Sequence, residues 1–169
     1  MLNKGDVLQV LKNTEFKCVG RAGYIVWMCF GDDILFRDDM GTERVVPKYS
    51  LHIQCSFRIT LNNIILITDS DMYRPCSTMK EDEFNCDIIG HTRYDEFAEK
   101  FSKQNAENWY RVVDVSMSKC GDVKIILTNG CIIEIFVNCS DDYEAWRFFE
   151  NSDENESVHY VMTGDGCEV

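Results

Sequence analysis

The side chains that could do chemistry are few and scattered. His52, His91 and His159 lie far apart and share no metal-ligand spacing. His52 belongs to the run Leu51-His52-Ile53-Gln54-Cys55-Ser56-Phe57-Arg58-Ile59. In a flat strand successive side chains alternate between faces, so His52 and Cys55 point apart and make no nucleophile–base pair. Asp69-Ser70-Asp71 has the form of an acidic strand end that holds a hard cation, with Asp38-Asp39 as further oxygen donors. Such a site needs several convergent oxygens, and two aspartates in a turn are commonplace. The nine cysteines include no Cys-x-x-Cys pair, which argues against structural zinc. No phosphate-binding glycine loop or dinucleotide fingerprint occurs. The sequence therefore predicts no metal and no cofactor, and it names no catalytic residue; an enzyme is the less favoured reading.

Two aromatic-Arg pairs, Phe57-Arg58 and Trp146-Arg147, stand out among the polar residues. Either they contact an anion or partner, or each guanidinium pairs with a turn carboxylate such as Asp32 or Asp122. Arg suits both roles because its planar fork binds carboxylates in pairs of hydrogen bonds. A pocket between two halves of the chain, lined by His52, Arg58, Asp69, Asp71 and Arg147, is the candidate site for a small ligand. A second candidate is the acidic C-terminal third. Residues 141–169 hold nine acidic residues and one basic residue, a net of −8 out of −12 for the chain. Asp141, Asp142 and Glu144 would crowd the first turn of a short helix, favoured there by its dipole. Trp146 and Arg147 would supply an aromatic anchor beside a charged rim. A field of this sign repels phosphate backbones, disfavours nucleic acid and suits a partner with a basic surface.

The elements that must position these residues are mostly strands. Residues 7–19 form a first short element, helix or strand, broken by Gly20-Arg21-Ala22-Gly23. Tyr24 to Phe30 reads as a strand, Gly31-Asp32-Asp33 as a turn, and Ile34-Leu35-Phe36 as the return strand before a turn at Asp38-Asp39-Met40-Gly41. Leu51 to Ile59 alternates as one half-buried strand. Asn62-Asn63 turns the chain into Ile64-Ile65-Leu66-Ile67, a fully apolar strand expected at the centre of a sheet. Residues 72–91 read as a surface loop. The principal helix is predicted over Arg93–Lys103, with Thr92 and Asp95 forming a capping box and Glu96 pairing with Lys100. Strands follow over Tyr110–Met117, Val123–Leu127 and Cys131–Val137, the last two joined by a Thr128-Asn129-Gly130 hairpin turn. A short helix is predicted from about Ser140 to Phe149, then a polar loop over Asn151–Ser157 and a strand over Val158–Met162. Gly164–Val169 is expected to fray.

The pattern is mostly β with one principal helix (α+β), built as antiparallel sheets within 1–169 as a single domain. Residues 24–73 and 110–163 share a plan of strand, Gly-Asp, strand, return and aromatic-Arg pair, which predicts an internal duplication. The cysteines sit inside apolar runs, with Cys29, Cys55 and Cys131 expected buried. The N-terminal residues Met1–Asp6 lack the apolar core of a signal peptide, and no stretch has the length of a membrane span. A reducing, cytoplasmic setting follows as the expectation.

The segments Leu51–Ile59 and Tyr143-Glu144-Ala145-Trp146-Arg147-Phe148, with the hairpin from Gly121-Asp122 to Phe136 between them, resemble a broad group of small bacterial cytosolic proteins. Some members of such groups are similar to immunity proteins that accompany secreted toxins. The resemblance implies an acidic protein-binding module that masks a basic partner such as a toxin. The alternatives are a structural domain that pairs with itself as a homodimer, or a small-ligand binder or enzyme.

Overall fold

The computed structural model describes residues 7–37, 40–108, 110–152 and 158–169. The Asp38-Asp39 part of the predicted cation cluster and residues 153–157 of the acidic loop lie outside them. After a 3-10 turn at Val7–Leu11 come strands β1 (Phe16–Ala22), β2 (Ile25–Arg37), β3 (Glu43–Ile53), β4 (Ser56–Leu61) and β5 (Ile64–Thr68). Helix α1 (Arg93–Asn108) follows, then β6 (Val112–Met117), β7 (Val123–Leu127), β8 (Ile132–Phe136), β9 (Glu144–Glu150), β10 (His159–Thr163) and β11 (Gly166–Glu168). The protein is mostly β, with two antiparallel sheets and one main helix. One sheet has the order β1-β2-β3-β9-β10-β11 and the other β5-β4-β8-β7-β6. Each of the segments 24–73 and 110–163 contributes strands to both sheets.

Strand alternation sorts the side chains. Val26, Ile53, Trp146 and Met162 lie directly opposite one another in successive strands and face inward. The next row, Trp27, His52, Arg147 and Val161, faces outward. In the second sheet Phe57, Ile59, Ile125, Ile133 and Ile135 face inward, and all these inner faces feed one buried cluster. Burying each large apolar side chain contributes about 1.5–3 kcal/mol.

Several elements differ from the sequence reading. β1 continues through Gly20 to Ala22, and the chain turns at Gly23-Tyr24. Gly31-Asp32-Asp33 makes no turn: β2 runs straight through it with a bulge, and Gly31 takes φ +84°, where a side chain would be strained. The alternating run Leu51–Ile59 keeps its buried face but breaks at Gln54-Cys55, where the chain passes from one sheet to the other. Ile64–Ile67 is an edge strand, not a central one; Ile64 and Ile65 are 65% and 54% exposed. The predicted helix near 140–149 is strand β9. Its capping signal is real as a turn, but Trp146 and Phe148 alternate with Arg147 and Phe149 across a pleat, and aromatic residues favour strands. Gly164–Val169 does not fray: it turns into β11, which pairs with β10. The two Asn-containing turns also differ. Asn62 and Asn63 both adopt positive φ, whereas at 128–130 only Gly130 does, and Asn129 Oδ1 accepts the Cys131 N–H at 2.9 Å.

Helix α1 extends five residues beyond Lys103, to Asn108, and packs on β1. Its capping box forms as expected: the Asp95 N–H donates to Thr92 Oγ1 at 3.1 Å and the Thr92 N–H to Asp95 Oδ2 at 3.2 Å. The same carboxylate receives Arg21 Nε at 2.7 Å and Nη2 at 2.9 Å, with both side chains almost fully buried. Tyr94, Ala98 and Phe101 complete the packing, and Asn105 donates to the carbonyls of Phe16 and Lys17.

Candidate functional site

The residues grouped by the sequence into one pocket do not converge. Arg58 lies on the outer face of the five-stranded sheet, where Nε donates to Glu134 at 2.7 Å and the guanidinium sits over Phe136. Asp69 and Asp71 are spent on the backbone. Asp69 Oδ1 accepts the Phe57 N–H at 3.3 Å, and Asp71 Oδ2 accepts that of Thr68 at 3.0 Å, with Arg93 at 3.5 Å from Asp71. Among the described residues no group of three or more His, Cys, Asp or Glu side chains is placed to hold a metal ion.

His52 and Arg147 do meet, directly opposite one another on β3 and β9, on the outer face of the six-stranded sheet. Arg147 donates to both oxygens of Glu144, rather than to Asp122 as the sequence suggested, and approaches His159 Nδ1 at 3.3 Å. The Phe149 ring stacks on His159 at 4.6 Å and meets His52 edge-on at 5.0 Å. Burial pushes the pKa of both histidines down, and neighbouring Arg147 adds to the effect. This face is an aromatic–imidazole array whose guanidinium is already engaged by Glu144.

A different assembly forms from three loops. The β6–β7 turn is locked by Ser118, whose N–H donates to the Asp122 carbonyl at 2.8 Å and whose Oγ accepts the N–H groups of Cys120 and Asp122. Asp122 Oδ1 accepts the Val137 N–H at 2.9 Å, tying this turn to the β8–β9 connection. That connection is tied in turn to the β10–β11 hairpin, because the Gly164 N–H donates to the Asp141 carbonyl at 2.9 Å. The approach demands glycine: a Cβ on Gly164 would stand 2.5 Å from the Cys139 carbonyl oxygen. Trp146 lies beneath, fully buried, its indole N–H donating to the Gly121 carbonyl at 2.8 Å. It is a core residue and not the exposed anchor expected of it.

Between the loops lies a cleft of about 710 Å³, within the usual range of ligand sites. Met117, Val137, Cys139, Met162 and Cys167 supply its apolar lining; Ser118, Lys119, Cys120, Ser140 and Asp165 supply polar atoms. Methionine and cysteine are soft and adaptable, which suits irregular or variable occupants. Asp141 and Asp142 follow Ser140 in the same loop, both exposed. Among the described residues Asp141, Asp142 and Asp165 make no ion pair. Tyr143 stands beside them, 73% exposed, its carbonyl accepting the Cys139 thiol. Glu144, by contrast, is held by Arg147. The sequence missed the cleft because its walls come from three separated loops, and it missed Tyr143 because a helix reading drew attention to Trp146. No family model, curated protein or solved structure matches the chain.

Proposed function

We propose that the chain is an acidic protein-binding module that docks a basic polypeptide segment at the three-loop end. The observation that supports this most is the pairing of a soft apolar cleft with exposed carboxylates that make no ion pair among the described residues. Asp141, Asp142 and Asp165 attract Lys or Arg side chains, and the thioether and thiol lining accepts an apolar residue between them. Tyr143 provides a rigid aromatic contact of the kind that carries binding energy at interfaces. The overall charge of −12 speeds encounter with a basic surface. Neutralisation of a basic toxin in the cytoplasm is the form of this reading that the sequence resemblance favours. No catalytic step, cofactor or nucleic acid enters it, and no helix among the described residues is long and apolar enough to cross a membrane. Ancestral duplication of 24–73 and 110–163 belongs to the same reading.

Fluorescence anisotropy with labelled short peptides tests it. The set combines Lys and Arg with one large apolar residue, and control peptides replace that residue with serine. Binding should need both features and weaken with salt. Equal binding by Asp141→Asn/Asp142→Asn/Asp165→Asn, or no binding by any basic peptide, would refute it.

A second reading is self-association. β5 presents an unpaired sheet edge with Ile64 and Ile65 exposed, the kind of edge on which another strand can pair. A dimer in solution that dissociates when Ile65 is changed to Lys would favour this homodimer; a monomer at all concentrations would remove it.

A further inference from the structure

We propose that Cys18 and Cys29 form a thiol–disulfide exchange site, at which a low-molecular-weight disulfide oxidises the pair to an intramolecular bond. The two residues lie directly opposite one another in the β1–β2 ladder. Directly opposed side chains on one sheet face have Cβ atoms about 4.5–5.5 Å apart, just beyond the roughly 3.5–4.5 Å of a disulfide. The remaining gap must be closed by a local shift within β1, the outermost strand of its sheet, whose register with β2 is irregular between Phe16 and Cys18, next to the thiol concerned, while Arg21 and Asn105 hold the strand to α1 on either side.

The two thiols have different environments. Cys29 is 8% exposed, whereas Cys18 is only partly buried. The contact with Cys29 holds the Cys18 pKa below its ordinary value, against burial and the nearby Asp33 carboxylate. The same contact and burial push Cys29 up. Cys18 is therefore the attacking group and Cys29 the resolving one. No disulfide joins any of the nine cysteines in this structure, so the reduced state is the one described.

The chemistry balances with oxidised glutathione as the co-reactant. The Cys18 thiolate attacks one sulfur of glutathione disulfide, whose S–S bond breaks and expels one glutathione thiolate. Cys29 then attacks Sγ of Cys18 as its thiolate, forms the Cys18–Cys29 bond and expels the second glutathione. Two protein thiols are oxidised and one small disulfide is reduced to two thiols. The two protons released by the cysteines end on the leaving thiolates. A bond that must draw an edge strand inward is strained, and strained disulfides are the readily reduced ones. The site should therefore cycle, unlike a structural bridge.

The test uses the full chain, native, incubated with oxidised glutathione, alkylated and digested with trypsin. Cleavage after Lys17, Arg21 and Arg37 places the two cysteines in peptides 18–21 and 22–37. The expected product is a cross-link between these peptides that forms before any other and reverts when reduced glutathione is added in excess. Cys29→Ser should halt at a glutathione adduct on Cys18, and exposed Cys120 should also stop at the adduct stage. The proposal is overturned if the wild-type chain yields other cysteine pairs ahead of this one. It is equally overturned if Cys18 remains a mixed disulfide while Cys29 is present, or if the bond resists reduced glutathione.

Discussion

Two groups of carboxylates in the molecule have opposite surroundings. At the helix end Asp95 is sealed between Arg21, Thr92 and the Gly90 N–H, and Glu96 binds Lys100 and Ser77. At the three-loop end Asp141, Asp142 and Asp165 make no ion pair among the described residues. The same residue type thus holds the fold together at Asp95 and is left facing solvent at Asp141, Asp142 and Asp165. Acidity counted along the sequence does not separate the two cases; it needs the partner of each carboxylate.

The largest expected effect lies at the helix end. Arg21→Ala leaves a buried carboxylate uncompensated and should cost about 3–5 kcal/mol in urea unfolding. Its pH dependence has a definite sign. Burial pushes the Asp95 carboxyl up, but the bonds from Arg21, Thr92 and Gly90 outweigh it and hold the pKa below its ordinary value. A depressed folded-state pKa gives stability that is complete above the unfolded value, about 3.9, and fades as pH falls through the folded one. The advantage of the wild type over Asp95→Asn should therefore shrink below about pH 4. A constant difference across that range would show that folding leaves the carboxyl's pKa unchanged.

Next in size is the contrast between two aromatic residues three positions apart. Trp146→Phe removes the hydrogen bond to Gly121 and leaves a void beneath the loops, at a cost of about 1–3 kcal/mol in unfolding free energy. Tyr143→Ala should change stability by less than about 0.5 kcal/mol yet weaken peptide binding at least tenfold. Reversal of these two results would exchange the roles assigned to core and anchor.

The legibility of the sequence followed the range of the interactions. The capping box at Thr92 and Asp95 could be read because both partners lie within one turn. The hairpins at Asn62-Asn63 and Thr128-Asn129-Gly130 were legible for the same reason, although their dihedral details were not. Gly31-Asp32 looked like a turn because glycine marks bulges and turns alike, and only the partner strand β3 decides between them. Ile64–Ile67 looked central because hydrophobicity does not record how many neighbours a strand has. The segment 140–149 read as helix because its capping signal is local, whereas the neighbours that make it a strand, β3 and β10, are distant in sequence. Of the expected pocket, His52 and Arg147 met while Arg58, Asp69 and Asp71 went elsewhere. The break at Gln54-Cys55, invisible in the alternation, sends β3 and β4 to different sheets.

A similarly small effect on stability per site, and the largest expected on binding, belong to the three carboxylates. Asp141→Asn/Asp142→Asn/Asp165→Asn should alter unfolding free energy by no more than about 0.5 kcal/mol for each site. It should slow association with a basic peptide and flatten the dependence of affinity on salt.

The location of binding tests the account most directly. Backbone amide shifts are followed by NMR while a basic peptide bearing one apolar residue is titrated into the intact chain. Saturable changes should concentrate at residues 117–122, 137–143 and 162–167, suppressed by salt and weakened in the triple variant. Changes centred on β5 or on the His52–Phe149–His159 face, with the three loops unperturbed, would contradict it.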